Sequence, residues 1–238
     1  MKINFLLFIL FIFLQLFTYS QQSDIRASAT QWSLVSNDHV FKGFIQKLKN
    51  GSLIHVFRLD SGITGNHVGN NGAVAQRFSY DDGKTWSKPQ IIYSDKYDDR
   101  ASAGGVLDDG TIVVFFFRYY TYDVWNGVLV DNRFILSKDN GKTWTEPQLI
   151  NSDNGCMVSM NIFKIDGIEG YFAPGYGSYC ADLRYSKDGS NWDSVYYYWK
   201  FNKDTGFNPA EPTFTCVGNG RVIGIFRVEN KALHQVIS

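Results

Sequence analysis

Short apolar runs lie on both sides of an Asn-Gly or Asp-Gly dipeptide at several places along the chain. Three such pairs of runs are residues 44–48 and 52–58, residues 104–107 and 111–118, and residues 214–217 and 221–227. A looser pair surrounds Asp166-Gly167. These dipeptides tolerate the positive backbone φ angles of two-residue turns, so between β-prone runs they are a strong local signal for a β-hairpin. The pattern predicts a tight hairpin in each unit.

A polar phrase of eight residues follows the hairpins and occurs more than once. It reads Ser-Tyr-Asp-Asp-Gly-Lys-Thr-Trp from Ser79 and Ser-Lys-Asp-Asn-Gly-Lys-Thr-Trp from Ser137, and a shortened copy begins at Ser186. The Asp side chain can accept hydrogen bonds from nearby backbone N–H groups, the Gly permits a positive φ, and the Trp returns the chain to apolar packing. Each copy is predicted to be a hairpin turn. Its aspartate is predicted to be structural, namely Asp81, Asp139 and Asp188.

The spacing of the three copies, at Ser79, Ser137 and Ser186, is about 50 residues, which is typical of the blades of a β-propeller. Each period has room for four antiparallel strands: the two of the tight hairpin, one that enters the polar phrase, and an outer strand. No segment has a helical periodicity, so the predicted fold is all-β. The last period stops at Ser238, where the next polar phrase should begin. We therefore expect a fragment, or a truncated product, that is cut in its fourth blade.

The first 20 residues differ in composition from the remainder. Lys2 precedes an almost unbroken run of Phe, Leu and Ile that extends to Tyr19, and polar residues follow Ser20. This composition predicts a signal peptide over residues 1–20, a propeller domain over residues 21–238, and a secreted or periplasmic protein. The alternative is an uncleaved membrane anchor, because the apolar run approaches the roughly 18 residues that span a bilayer.

Charge and ligand chemistry exclude several classes of function. Lys and Arg number 23, as do Asp and Glu, so no long-range attraction to nucleic acid or to an anionic membrane surface is expected. The four histidines are scattered, and the three cysteines lack a Cys-x-x-Cys spacing. No glycine-rich phosphate loop opens a helix. We expect no metal, no cofactor and no nucleic-acid partner, and no membrane span after signal cleavage. The oligomeric state is left open.

The polar phrase, Ser-x-Asp-x-Gly-x-Thr-Trp, resembles the Asp-box, or BNR repeat, of the sialidase (neuraminidase) superfamily. The resemblance covers residues 30–238. It implies a six-bladed-type propeller of the sialidase class that is incomplete, with about four blades present. In that family the Asp-boxes lie on outer hairpins, away from the active-site face. Asp-boxes also occur in other secreted propellers, so the phrase supports the fold more than an activity.

Glu211-Pro212, followed by a hairpin and by Arg227, is a more specific match. Sialidases carry a Glu-Pro on an inner strand and, at the end of the next strand, an arginine that binds the substrate carboxylate. A guanidinium offers a planar, permanently charged fork that suits this task. The resemblance implies that Arg227 binds substrate and that Glu211 is catalytic, polarising a tyrosine nucleophile. The alternative is a structural ion pair at a strand end.

Candidate residues in the first unit match the family less closely. Residues 41–44 read Phe-Lys-Gly-Phe where sialidases have Phe-Arg-Ile-Pro, so Lys42 keeps the positive charge of a substrate-binding arginine without its fork. Arg58 ends the next strand, at the position of another active-site arginine. The general acid is expected in the following loop, where Asp60 is the carboxylate and His67 the other candidate for proton transfer. Either can equally be a solvated loop residue.

Arg118 ends the corresponding strand of the second unit. If the strand ends share one edge, Arg58, Arg118 and Arg227 converge around one mouth and suit an anionic sugar such as a sialic or uronic acid. The alternative for Arg118 is that it only caps an exposed strand edge.

The resemblance thus implies a hydrolase: a secreted exo-glycosidase that removes terminal sialic acid, or a related acidic sugar, from glycoconjugates. The third arginine and the tyrosine nucleophile of the family come from blades five and six, so this chain alone is expected to be inactive. Two alternatives remain open. One is a non-catalytic propeller that binds glycans or proteins, and the other is a glycoside-cleaving propeller that uses different carboxylates.

Overall fold

The described part of the chain, in a computed structural model, consists of strands and connecting turns and contains no helix. It comprises residues 39–60, 71–122, 127–150, 157–158, 161–177, 180–192, 194–200, 209–228 and 234–237. All of these residues belong to one unit, Val35–Ser238. The predicted signal peptide, residues 1–20, lies outside them. A search of the described residues for a helix long and apolar enough to cross a membrane finds none.

The described strands form four antiparallel sheets, each in sequence order. Sheet 1 contains β1 (His39–Lys47), β2 (Leu53–Asp60), β3 (Gly72–Ser79) and β4 (Gln90–Tyr93). Sheet 2 contains β5 (Asp98–Val106), β6 (Ile112–Thr121), β7 (Gly127–Ser137) and β8 (Gln148–Ile150). Sheet 3 contains β9 (Met157–Val158), β10 (Tyr171–Gly177), β11 (Cys180–Ser186) and β12 (Ser194–Lys200). Sheet 4 contains β13 (Pro209–Cys216), β14 (Val222–Val228) and β15 (His234–Ile237). These meanders are the blades of a propeller.

The predicted tight hairpins are confirmed where the Asn-Gly and Asp-Gly dipeptides lie. In sheet 1 the amide of Leu48 donates to the carbonyl of Ser52 at 2.8 Å, and Gly51 has a φ of 88°. In sheet 2 the amide of Leu107 donates to Thr111 at the same distance. A side chain at Gly51 would be strained by this backbone conformation, which explains why glycine follows the asparagine.

The polar phrases form the predicted turns, and we call residues 79–86, 137–144 and 186–192 the first, second and third repeat turns. In the second repeat turn, Asp139 Oδ1 accepts a hydrogen bond from the amide of Thr143 at 2.9 Å, and Oδ2 accepts one from the Thr143 hydroxyl at 2.6 Å. Ser137 donates to the same carboxylate at 2.9 Å. These bonds, those from Thr143 above all, lower the pKa of Asp139 to about 2. Asp139 therefore stabilises the turn.

The core lies between neighbouring sheets. Alternate residues of β6 face opposite sides because side chains alternate along a strand. On one side Ile112 and Val114 pack with Ile54 and Val56 of sheet 1, and on the other side β6 packs against sheet 3. The second of these layers contains Val113, Phe115, Tyr171, Ala173 and Trp192. A strand buried on both faces needs an unbroken apolar sequence, which β6 has.

Sheets 3 and 4 pack through stacked rings of Phe163 and Phe214, whose centroids are 5.8 Å apart. The four described sheets thus follow one another in chain order, and they do not close into a ring. The predicted fold, an all-β propeller that is incomplete, is confirmed.

The strand register separates two edges of each sheet, by which we mean the two sides where the ends of its strands lie. Leu53 pairs with Ser79, so the repeat turn of sheet 1 lies at the same edge as its tight hairpin, whereas Asp60 pairs with Gly72 at the other edge. We call the edge with the hairpins and repeat turns the repeat-turn edge. The opposite edge, where β2, β6, β10 and β14 end, is called the Arg58 edge.

Candidate functional site at the Arg58 edge

Four side chains occupy equivalent places on the second strands of the four sheets. Each is the sixth residue of its strand: Arg58 in β2, Phe117 in β6, Tyr176 in β10 and Arg227 in β14. The first residues of β2, β6 and β10 all pair with the serine that opens a repeat turn. The first residue of β14 pairs with the last residue of β13, as β2 does with β1 and β6 with β5, which extends the equivalence to sheet 4. Two of the predicted arginines therefore share one register position, on sheets 1 and 4.

Arg58 is completely buried in an ion-pair cluster between sheets 1 and 2. Its Nη2 donates to Asp60 at 2.8 Å, and its Nε donates to Asp98 of β5 at 2.6 Å. Gly72 makes room for this contact, because a Cβ at that position would stand 1.9 Å from Asp98 Oδ1. The remaining nitrogen, Nη1, is buried and has no hydrogen-bond partner among the residues that the structure describes. Arg58 and Asp60 are thus brought together, but solvent reaches little of either side chain.

The cluster continues through Asp98 toward sheet 3. Arg100 Nε lies 4.0 Å from Asp98 Oδ2, and its guanidinium lies over the ring of Phe117 at 5.5 Å. Burial lowers the pKa of Arg100, while the charge of Asp98 acts in the opposite direction. The nearby Tyr176, like Asp98, acts to raise the pKa of Arg100. Sequence reasoning missed Asp98 and Arg100, although three charged residues in a row at the start of β5 were a visible signal.

Arg118 lies one position beyond the shared register, as the seventh residue of β6. Its Nε and Nη2 bind the carboxylate of Asp131 at 2.8 and 2.5 Å, and its Nη1 donates to Asp95 at 2.7 Å. The hydrogen bond to Asp131 is the main reason why the pKa of Arg118 is raised. Because neighbouring residues of a strand point to opposite faces, Arg118 does not join Arg58.

Asp99 lies near Arg118 and is fully buried. Its Oδ2 accepts a hydrogen bond from the amide of Asp95 at 2.7 Å, and its Oδ1 has no hydrogen-bond partner in the described part of the chain. Burial, which disfavours the charged carboxylate, raises the pKa of Asp99 to about 7. Sequence reasoning did not single out this residue, since its burial depends on the packing of separate strands.

Glu211 and Arg227 form an exposed ion pair on sheet 4, with Arg227 Nε donating to Glu211 Oε2 at 3.0 Å. Their side chains are 37% and 54% exposed. Glu211 has a φ of 51°, unusual for a residue with a side chain, and it lies in a β-bulge between Ala210 and Thr213. Among the described residues neither Nη group of Arg227 has a hydrogen-bond partner, and more than half of the side chain is exposed.

Lys42 occupies the matching bulge of sheet 1, between Phe41 and Phe44. Its backbone lies in β1, but its side chain lies outside the described residues. His67 lies outside them altogether. The described residues contain no group of three or more His, Cys, Asp or Glu side chains placed to hold a metal ion. The functional roles assigned to the site residues remain predictions.

Comparison with known proteins supports the fold. No protein-family model and no curated protein sequence matches the chain. Among solved structures, a protein of unknown function from Dyadobacter fermentans is similar with a TM-score of 0.71, 18% identity and coverage of 84% of this chain and 66% of its own. The intramolecular trans-sialidase of Ruminococcus gnavus, in complex with oseltamivir carboxylate, has a TM-score of 0.62 and 12% identity, with coverage of 86% and 70%.

An α-L-arabinanase of Penicillium chrysogenum in complex with arabinobiose is also similar, with a TM-score of 0.56, 16% identity and coverage of 84% and 62%. The chain thus spans about two thirds of each of these proteins. At such identities the comparison establishes the fold, a β-propeller of the kind found in glycosidases, and no substrate.

Proposed function

We propose that the chain forms the acidic-sugar site of a secreted, sialidase-like exo-glycosidase that removes terminal sialic acid, or a related acidic sugar, from glycoconjugates. The sugar binds at the Arg58 edge with its carboxylate on Arg227. Support comes from the side chains at that edge and from a fold shared with proteins described as sialidases and an arabinanase.

The exposed guanidinium of Arg227 is the observation on which this function rests. Glu211 binds the Nε side of the group, and no described residue binds either Nη nitrogen, so both are available to a ligand. A planar guanidinium binds a carboxylate through two parallel hydrogen bonds, and the pair is stronger when one partner is already oriented. Glu211 provides that orientation and leaves the outer side of the fork open to an acidic sugar.

Glu211 also has the chemistry expected of a catalytic carboxylate. It lies at a strained backbone position, and such positions persist where the surrounding structure holds a functional group in place. In glycosidases a carboxylate of this kind assists a nucleophile at the anomeric carbon. We therefore assign to Glu211 the role of supporting the nucleophile and to Arg227 the role of binding the carboxylate.

A second candidate is a propeller that binds acidic glycans without cleaving them. It is favoured by Arg58 and Asp60, which bind each other inside a buried cluster. A general acid must reach the glycosidic oxygen, and Asp60 is only 7% exposed.

Because this chain alone is expected to be inactive, the two candidates are separated by measuring binding and cleavage on one preparation of a full-length version with all six blades. Binding of 3′-sialyllactose, followed by saturation-transfer NMR, is expected for both. Release of 4-methylumbelliferone from its sialoside above the level of a Glu211→Ala variant supports the glycosidase. Binding without release supports the non-catalytic propeller, and the absence of both contradicts the two together.

A further inference from the structure

A cavity of about 400 Å³ opens on the repeat-turn edge, between sheets 1 and 2. It lies between the first hairpin turn and the first and second repeat turns. Its lining comprises Asn50, Ser52, Phe78, Tyr80, Gln90, Asn140, Gly141 and Lys142. This volume is within the range of sites for small ligands. The cavity lies at the edge opposite to Arg227.

Hydrogen bonds within the protein hold the walls of the cavity in place. Gln76 is 1% exposed, and its Nε2 donates to the carbonyl of Gly141 at 2.8 Å and to Gln90 Oε1 at 3.1 Å. Asn50 Oδ1 accepts hydrogen bonds from the amide and hydroxyl of Ser52. The second repeat turn is therefore tied to sheet 1, and the site is formed before any ligand arrives.

Two aromatic rings form one wall. Phe78 and Tyr80 are stacked with centroids 6.3 Å apart and planes at 22°, and Tyr80 is 78% exposed. An exposed tyrosine offers an apolar ring face together with a polar hydroxyl. Such a wall can cover the C–H face of a sugar ring while leaving its hydroxyls to polar neighbours.

Hydrogen-bond donors surround the rings. Asn50 and Gln90 use their Oδ1 and Oε1 atoms within the protein, which leaves their amide NH₂ groups as donors without a partner in the described part of the chain. Asn140 adds another amide and Lys142 an ammonium group, and none of the described residues that line the cavity carries a carboxylate. The lining therefore favours a ligand rich in acceptors, and Lys142 favours a negative charge.

We propose that this cavity is a second glycan-binding site that accepts one sugar unit bearing a carboxylate. Tyr80 stacks on the ring, Asn50 and Gln90 donate to hydroxyls, and Lys142 binds the carboxylate. In the first and second repeat turns the Ser, Asp and Thr residues maintain the backbone. Other residues of these turns supply part of the lining. This site does not depend on the function proposed for Arg227.

The site is tested by calorimetric titration of the chain carrying Arg227→Ala, which removes the site at the opposite edge from the measurement. The probes are 3′-sialyllactose and lactose. We expect 3′-sialyllactose to bind, and Tyr80→Ala to weaken it about tenfold, because the ring face is lost. Lys142→Gln should remove the preference for 3′-sialyllactose over lactose.

Matched controls use residues of the same type outside the cavity. Lys84 occupies in the first repeat turn the place that Lys142 has in the second, and Tyr122 is an exposed tyrosine near the Arg58 edge. Lys84→Gln and Tyr122→Ala should leave the affinity unchanged. The site is refuted if 3′-sialyllactose shows no binding up to about 10 mM. It is equally refuted if Tyr80→Ala has no effect, or if Lys84→Gln weakens binding as much as Lys142→Gln does.

Discussion

Arg58 and Arg227 are each the sixth residue of their strand, yet the side chain of the first is 1% exposed and that of the second 54%. Arg58 is enclosed because sheet 2 packs against sheet 1 and supplies Asp98. On the described part of sheet 4, Ile225 is 42% exposed, whereas Val56, its counterpart in β2, is fully buried. The same register position thus supports a buried ion pair in one sheet and an available cation in another.

Replacing Arg58 by methionine should strongly destabilise the fold. Asp60 and Asp98 would stay buried without the charge of Arg58, and breaking a buried ion pair costs about 3–5 kcal/mol. Urea unfolding followed by circular dichroism measures the change in the free energy of unfolding. Arg221→Met is the control, since this arginine is exposed and should change stability by less than about 0.5 kcal/mol. A loss below about 1 kcal/mol for Arg58→Met would contradict the buried cluster.

Asp99→Asn should change how stability depends on pH. The folded pKa, about 7, lies above the usual value of 3.8, so the contribution of Asp99 is complete below pH 4 and is lost as the pH rises toward and through 7. Asparagine can still accept the hydrogen bond from the Asp95 amide. The variant should therefore gain stability relative to the wild type as the pH is raised from about 4 to 8. Urea unfolding across that pH range measures the free energy of unfolding of both proteins. A difference in this free energy that stays constant with pH would refute the prediction.

Asp139→Asn should have the opposite pH signature. The folded pKa of Asp139, about 2, lies below the usual 3.8, so its stabilising contribution is present above pH 4 and disappears as the pH falls through 2. The variant should melt at a lower temperature than the wild type at pH 6, and the two melting temperatures should converge toward pH 2. Asp166→Asn, a change in a hairpin turn of sheet 3, serves as the control. A difference between the two melting temperatures that is the same at every pH would show that the carboxylate charge has no role in the turn.

The sequence predicted the hairpins and repeat turns because their causes are local. The bonds from Ser137 and Thr143 to Asp139 connect residues at most four positions apart, so the phrase itself contains the information. The all-β fold followed from these units and their period. Burial of Asp98 against Arg58, forty residues away in the chain, depends on the packing of two sheets and has no local signal.

The placement of Arg118 could have been predicted by counting. Arg58 is the sixth residue of β2, whereas Arg118 is the seventh of β6, and a shift of one residue moves a side chain to the other face of a sheet. Both strands carry a Phe-Arg pair near their ends, and this similarity obscured the shift of one residue. The ion pair of Arg227 with Glu211 was foreseen as one of two alternatives, but its exposure was not.

The central claim, that the guanidinium of Arg227 binds the carboxylate of an acidic sugar, is tested most directly by the NMR signal of its Nε–H group. This signal can be assigned by its disappearance in Arg227→Lys. Titration with 3′-sialyllactose should shift it in a saturable manner, lactose should shift it little, and the corresponding signal of Arg221 should not move. An unchanged Arg227 signal, or an equal response to lactose, would contradict the account.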